Sequence, residues 1–134
     1  MQVATCPPVV ELWDVGGGSM IRDSRHVFYD RDYHGIVLVY DASNPKSQQS
    51  ISRWSQEFLD FRSQHHQKRS YPELHVANKI DCLSLDARQR VLQQGKIGDN
   101  VWHTAASSHG SVADSAAVGT FLRFVEHLND SRSV

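Results

Sequence analysis

Between Gly35 and Asp41 the chain reads Ile-Val-Leu-Val-Tyr, five apolar residues without a polar interruption. A strand with one wet face alternates apolar and polar side chains. An unbroken, largely β-branched run instead predicts a strand covered on both faces, as in a parallel sheet. Parallel strands need long crossovers, usually helices, and the flanking sequence supplies them. Asn44-Pro45 offers a capping side chain followed by a proline in the first turn. Ile51, Trp54, Phe58 and Phe61 then fall at steps of three and four on one helix face. Leu74–Ala77 reads as a second buried strand, and Leu85–Gln94 as a short helix stopped by Gly95. Val101–Thr104 is a third strand. Val112–Leu128 is a closing helix with Phe121, Phe124, Val125 and Leu128 as its inward stripe. Upstream, Val9–Asp14 reads as a short strand ending in a glycine turn, Ile21–Asp30 as a short helix, and Ser63–Tyr71 as helix end and loop. Strands alternating with helices predict an α/β fold, a mostly parallel sheet with flanking helices.

A chain of 134 residues suits one domain with its own core. Its net charge of −1, with 22% charged and 40% hydrophobic residues, argues against a strongly electrostatic nucleic-acid or membrane surface. Cys6 and Cys82 have no metal-ligand spacing, and reduced thiols are the expectation for so few cysteines. The histidines, His65-His66 included, show no ligand spacing either. No apolar run approaches the roughly 18 residues of a membrane span, no signal peptide opens the chain, and Asp-Ser-Arg-Ser-Val at the end lacks a prenylatable cysteine. The expectation is a cytoplasmic protein with no nucleic-acid partner and no membrane anchor of its own.

In an open parallel sheet, ligands sit beyond the carboxyl ends of the strands. Asp14, Asn78 and Thr104 are each expected just past such an end, which would bring three motifs to one edge. In Asn78-Lys79-Ile80-Asp81, the Asp81 carboxylate can accept two parallel hydrogen bonds from the ring N–H and amino group of guanine, a donor pair that adenine lacks. A site built around such a pair rejects the analogue by roughly 10⁴ in favourable cases. Asn78 can bridge the base and neighbouring loops, and the Lys79 stem can lie over the ring. In Asp14-Val15-Gly16-Gly17, Gly17 can bring its N–H close to a phosphate because no Cβ obstructs it, and Asp14 can hold Mg²⁺ through water. Taken alone, each motif is also an ordinary turn after a strand; their order along the chain is what favours the functional reading.

Glu-Leu-Trp-Asp-Val-Gly-Gly (11–17), Ala-Asn-Lys-Ile-Asp (77–81) and Thr104-Ala105-Ala106-Ser107 resemble motifs of the small GTPases of the Ras superfamily. The resemblance covers the chain from about Val9 to its last helix. Ser-Arg-His-Val-Phe-Tyr (24–29), Gly-Ile-Val-Leu-Val-Tyr-Asp (35–41) and Ser-Arg-Trp-Ser (52–55) are similar to the Rab-like protein 3 branch. The resemblance implies a single, incomplete P-loop GTPase domain over 1–134, Rossmann-like and three-layered, with 1–8 as an irregular segment. It implies GTP or GDP and Mg²⁺ as ligands, with Asp14, Gly17, Asn78, Lys79, Asp81, Thr104, Ala105 and Ala106 around them. The N–H of Ala106 corresponds to the one that meets the guanine carbonyl. Regulatory or effector proteins are the implied partners, in trafficking or signalling, with a second copy of the chain as a further candidate.

The departures matter equally. Nowhere does a G-x-x-x-x-G-K-[ST] loop occur, and the first strand, phosphate loop, first helix and second strand of such a domain have no counterpart. Four charge-assisted phosphate contacts, at about 1.5–3 kcal/mol each, amount to roughly 6–12 kcal/mol of missing affinity. Gly18 stands where the family carries the glutamine that orients the attacking water, so the expectation is weak or absent hydrolysis. A nucleotide-free pseudo-GTPase scaffold that works through protein contacts is the alternative. The family's first strand lies between the Trp-Asp strand and Ile36–Tyr40. Without it, the Val9–Trp13 strand is expected to be poorly held and an apolar sheet edge exposed.

Overall fold

The computed structural model describes residues 9–18, 23–66, 69–94, 96–98, 100–107 and 115–130. A 3-10 turn at Asp23–Arg25 leads into helix α1 (His26–Tyr29), followed by β1 (Ile36–Asp41), α2 (Pro45–His65) and β2 (Glu73–Asn78). A second 3-10 turn (Ile80–Cys82), α3 (Leu85–Gln93), β3 (Lys96–Gly98), β4 (Val101–Ala105) and α4 (Ser115–Asp130) complete the order. Local chemistry sets the helix starts. Asn44 accepts the Lys46 N–H at 3.0 Å ahead of Pro45, and Ser84 accepts the Ala87 N–H at 3.4 Å. The expected stop at Gly95, the first residues of Val112–Leu128, Ile21 and the segment 1–8 lie outside the described residues.

The sheet has the order β1-β2-β4-β3. β1, β2 and β4 run parallel, with Leu38 opposite His75 and His75 opposite His103, while β3 pairs antiparallel at the far edge. The α/β architecture is therefore the expected one, with a short edge strand added. On one face Leu38, Tyr40, Ala77 and Ala105 pack with Ile51 of α2 and Ile80. On the other, Leu74 and Trp102 receive Phe124 of α4, its ring edge-on to Trp102 at 5.6 Å between centroids. A third cluster, Tyr29, Phe58 and Tyr71, ties α1 and the chain before β2 to the lower half of α2. The expected Ile51, Trp54, Phe58, Phe61 stripe is thus core. No helix among the described residues is long and apolar enough to cross a membrane.

Two expectations need correction. Val9–Asp14 forms no strand: the segment has no regular structure, with Val9 89% and Leu12 71% exposed. A strand needs a neighbour to take its backbone hydrogen bonds, and among the described residues none bonds to this segment, although Val9–Leu12 lie across a cavity from Val37 and α4. Arg31 stacked over the Trp13 ring at 4.1 Å is one of its few ties. Second, β1 is not covered on both faces. Leu38 and Tyr40 are buried under α2, whereas Val37 and Val39 are 38% and 62% exposed. α4 packs mainly on β4, reaches Leu74 of β2 through Phe124, and meets only the start of β1, at Gly35 and across a cavity from Val37. Among the described residues no strand pairs with the outer side of β1, which leaves an edge with an apolar face, the outcome expected for a sheet without its first strand.

Candidate functional site

The carboxyl ends of β1, β2 and β4 lie side by side, with Asp41 opposite Asn78 and Ala77 opposite Ala105. Backbone hydrogen bonds sew the turns beyond them together. Ala42 N–H donates to the Asn78 carbonyl at 2.9 Å, Ala106 N–H to Ala77 at 2.8 Å, and Ile80 N–H to Ala106 at 3.2 Å. Asn78–Asp81 and Ala106 are therefore one unit. At its centre Lys79 has φ 62°, the one positive φ at a non-glycine residue among those described. A side chain in that left-handed region costs roughly 1–2 kcal/mol, so the turn must be held by its surroundings. Asn78 Oδ1 accepts the Lys79 N–H at 2.9 Å, and Lys79 Nζ reaches Asp41 Oδ2 at 2.7 Å.

Asp41 was not singled out as a site residue from sequence. Its position at the end of the first apolar run, in register with Asn78, was the available signal. Its carboxylate accepts from Lys79 Nζ and also from the Ser43 hydroxyl at 2.6 Å and N–H at 2.9 Å. Lys79 first and Ser43 second hold the Asp41 pKa down to about 2, and Asp41 raises that of Lys79 in return. The pair is an exposed clamp on the strained turn, setting the direction of the Lys79 stem.

Thr104 and Ala105 lie within β4 rather than past its end. They line a small cavity of about 40 Å³ with His103, Val91 and Thr120, room for a few waters and not for a purine. The Ala106 N–H, the expected donor to a base carbonyl, is engaged in the sheet ladder with Ala77. Asp81 sits half-buried in the 3-10 turn directly after the strained lysine.

The phosphate-side turn is placed differently. Val15 packs on the Tyr29, Phe58 and Tyr71 cluster, Gly17 lies beside Trp54, and the Gly18 carbonyl accepts from Arg25 Nη1 at 2.8 Å. Arg25 is itself buried, stacked over Trp54 and paired with Glu57 at 2.9 Å. Trp54 is about 14 Å along α2 from its start beside β1, at 1.5 Å per residue. The structure thus joins two of the three sequence motifs and sets Asp14–Gly18 against the middle of α2. A Cβ at Gly17 would meet Trp54 only at ordinary contact distance, 3.7 Å. Asp14 is exposed and makes no hydrogen bond among the described residues. Among the described residues no cluster of three or more His, Cys, Asp or Glu could hold a metal ion. A lone carboxylate fits Mg²⁺ only where phosphate oxygens and waters complete the octahedron, and is no metal site by itself.

A model of the Roc family (Ras of Complex, Roc, domain of DAPkinase) matches residues 5–81, a stretch that ends on Asp81. The chain belongs to the Ras superfamily and is Rab-like. Rab-like protein 3 of Bos taurus is 34% identical over 101 residues, covering 62% of this chain and 42% of that protein. Rab-like protein 3 of Danio rerio is also 34% identical over 101 residues, covering 62% of this chain and 43% of that protein. Ras-related protein Rab-7b of Paramecium octaurelia is 32% identical over 103 residues, covering 77% of this chain and 45% of its own length. The chain thus spans less than half the length of these relatives. In this Rab-like chain, the three-stranded parallel core and the order of turns along its carboxyl edge are those of a partial P-loop GTPase fold.

Proposed function

We propose that this Rab-like chain is a guanine-nucleotide-binding protein that regulates trafficking or signalling through protein partners, with GTP or GDP and Mg²⁺ as its ligands. The observation that carries the reading is the fused turn at the carboxyl edge, where Ala106 donates to the Ala77 carbonyl and accepts from the Ile80 N–H, joining it to Asn78–Asp81. On this reading Asp81 selects guanine, Asn78 braces the loop, Lys79 covers the base, and Asp14 and Gly17 act on the phosphate side. Hydrolysis is weak or absent, because Gly18 has no side chain to orient water. The site of action is the cytoplasm. Titration with a fluorescent GDP analogue, competed with unlabelled GDP and ADP, tests this. Saturable binding displaced by GDP and not by ADP, and lost in Asp81→Ala, is expected. Equal displacement by both nucleotides would refute guanine selection.

One observation favours a second reading, a nucleotide-free scaffold. The Asp14–Gly18 turn is tied to the middle of α2, and β1 offers an open apolar edge. No nucleotide binding, together with a stable complex with another protein lost on Val39→Lys, would support that scaffold.

A further inference from the structure

We propose that the groove between the C-terminal half of α2 and residues 69–73 is a carboxylate-binding site, with Arg62 and Arg69 as its cationic wall. The groove has a volume of about 540 Å³, within the range of small-ligand sites, and lies by the starts of β2 and β4. It is therefore at the opposite end of the sheet from Asn78–Asp81, and independent of any nucleotide there.

Arg62 is the reason to expect a ligand. It is only 7% exposed, yet has no carboxylate within 4.0 Å among the described residues. Its Nε donates to the Tyr71 hydroxyl at 2.8 Å, and Nη1 to the carbonyls of Tyr29 at 3.2 Å and Arg31 at 2.9 Å. All three acceptors are neutral. Among the described residues its Nη2 has no hydrogen-bond acceptor, and Arg62 lines the groove. A buried cation held only by dipoles is under-compensated, and a planar guanidinium matches an oxyanion better than any neutral acceptor.

Arg69 adds a second cation. Its guanidinium and that of Arg62 lie 5.7 and 5.6 Å from the centroid of the one Tyr71 ring. Its partner Asp32 stands 3.6 Å away and is largely exposed, a loose contact that an incoming anion can replace. The acidic side chains of the groove are already occupied. Asp60 accepts from the Gln56 amide at 2.6 Å, and Glu73 accepts from the Ser55 hydroxyl and from His75 at 2.8 Å. They pair with neither arginine, and their negative charge disfavours a dianion such as phosphate. That favours a single carboxylate carried on a ligand with N–H donors to spare.

The test is an NMR titration of the whole chain, following the Arg62 Nε–H and Tyr71 ring signals. Acetate, inorganic phosphate and chloride are added at constant ionic strength. The expected result is a saturable acetate shift in the millimolar range, weakened at least fivefold by Arg69→Gln and tightened about twofold by Asp60→Asn. Arg69 is exposed, so that variant keeps the fold, which its amide spectrum checks. Linear shifts, equal shifts with chloride, or an acetate affinity unchanged in Arg69→Gln would overturn the site. Saturation by phosphate with acetate inert would overturn the choice of carboxylate.

Discussion

Gly35 sits where the chain enters β1 beneath α4, and a methyl group there has nowhere to go. A Cβ would lie 2.9 Å from Leu128 Cδ2, 3.0 Å from Phe124 Cζ and 3.0 Å from the Pro72 carbonyl oxygen. The three neighbours differ in how far they can retreat. Leu128 is half-buried near the end of α4 and can change rotamer. Phe124 is buried against Trp102. The Pro72 carbonyl accepts the Ile36 N–H at 2.9 Å, so moving it loosens the start of the β1–β2 pairing. Overpacking of this kind costs about 1–3 kcal/mol. Replacing glycine also lowers the entropy of the unfolded chain, which returns about 0.4–1 kcal/mol. The expected net loss for Gly35→Ala is about 1–2 kcal/mol. At a urea slope of about 1–1.5 kcal/mol per molar, that lowers the unfolding midpoint by roughly 1 M. Urea unfolding followed by tryptophan fluorescence measures it, since Trp102 lies beneath the helix that must move. In a Leu128→Ala background the penalty should fall by about half without vanishing, because the Pro72 contact remains. A neutral or stabilising Gly35→Ala, or a penalty undiminished beside Leu128→Ala, would refute the argument.

Four further outcomes are expected. Burial and then the neighbouring His75 hold His103 below the ordinary histidine range, so the unfolded chain takes up more protons there. Its contribution is full above pH 6.5 and is lost as pH falls below that value toward the depressed folded one. Glu73, lowered by His75 and Ser55 against its burial, contributes above its ordinary pH 4.5 and is lost below. Urea midpoints between pH 7.5 and 3.5 should fall in two stages, the first missing in His103→Phe. Glu57→Gln, which removes the charge partner of the buried Arg25, should cost about 3 kcal/mol, the low end for a buried pair, because Arg25 keeps the Gly18 carbonyl and the Trp54 face. Asp81→Ala should raise the Kd for GDP at least tenfold while leaving the unfolding free energy within about 0.5 kcal/mol of wild type. Amide exchange should leave Val9–Asp14 nearly unprotected while Leu74–Ala77 and Trp102–Ala105 exchange slowest; equal protection of the two regions would contradict the unpaired placement.

The parts of the fold legible in the sequence are those written locally. Asn44-Pro45 announces a helix start, and Phe121, Phe124 and Leu128 mark the face that α4 lays on Leu74 and Trp102. Coverage of β1 was not legible, because an apolar run shows that a strand tolerates burial on both faces and says nothing of what lies there. Val9–Asp14 fails for the same reason: local preference cannot make a strand without a partner for its backbone. β3, three residues long, is too short to carry a period. In the candidate site the Asn-Lys-x-Asp turn was visible as a motif. Its clamp was not, because Asp41 and Lys79 are 38 residues apart. Arg25 and Glu57, 32 apart, and Arg62 with the Tyr29 and Arg31 carbonyls are likewise products of topology.

The separation of the two halves of the candidate site has a thermodynamic meaning on the proposed reading. Selectivity for guanine resides in a carboxylate matched to a donor pair, and depends on how well the Asn78–Asp81 turn is held. That turn is braced from within, by the Ala77, Ala106 and Asp41 contacts, and none of these passes through Asp14–Gly18. Affinity in such sites comes largely from phosphate contacts, and these 134 residues hold no G-x-x-x-x-G-K-[ST] loop to make them. The two quantities are therefore separable here. A base-reading turn without its phosphate cradle discriminates by nearly the same free-energy difference while binding every nucleotide weakly, since a difference of affinities is untouched by a term common to both ligands. The ratio of GDP to ADP binding thus speaks to the Asn78–Asp81 turn, and the absolute Kd to the phosphate side.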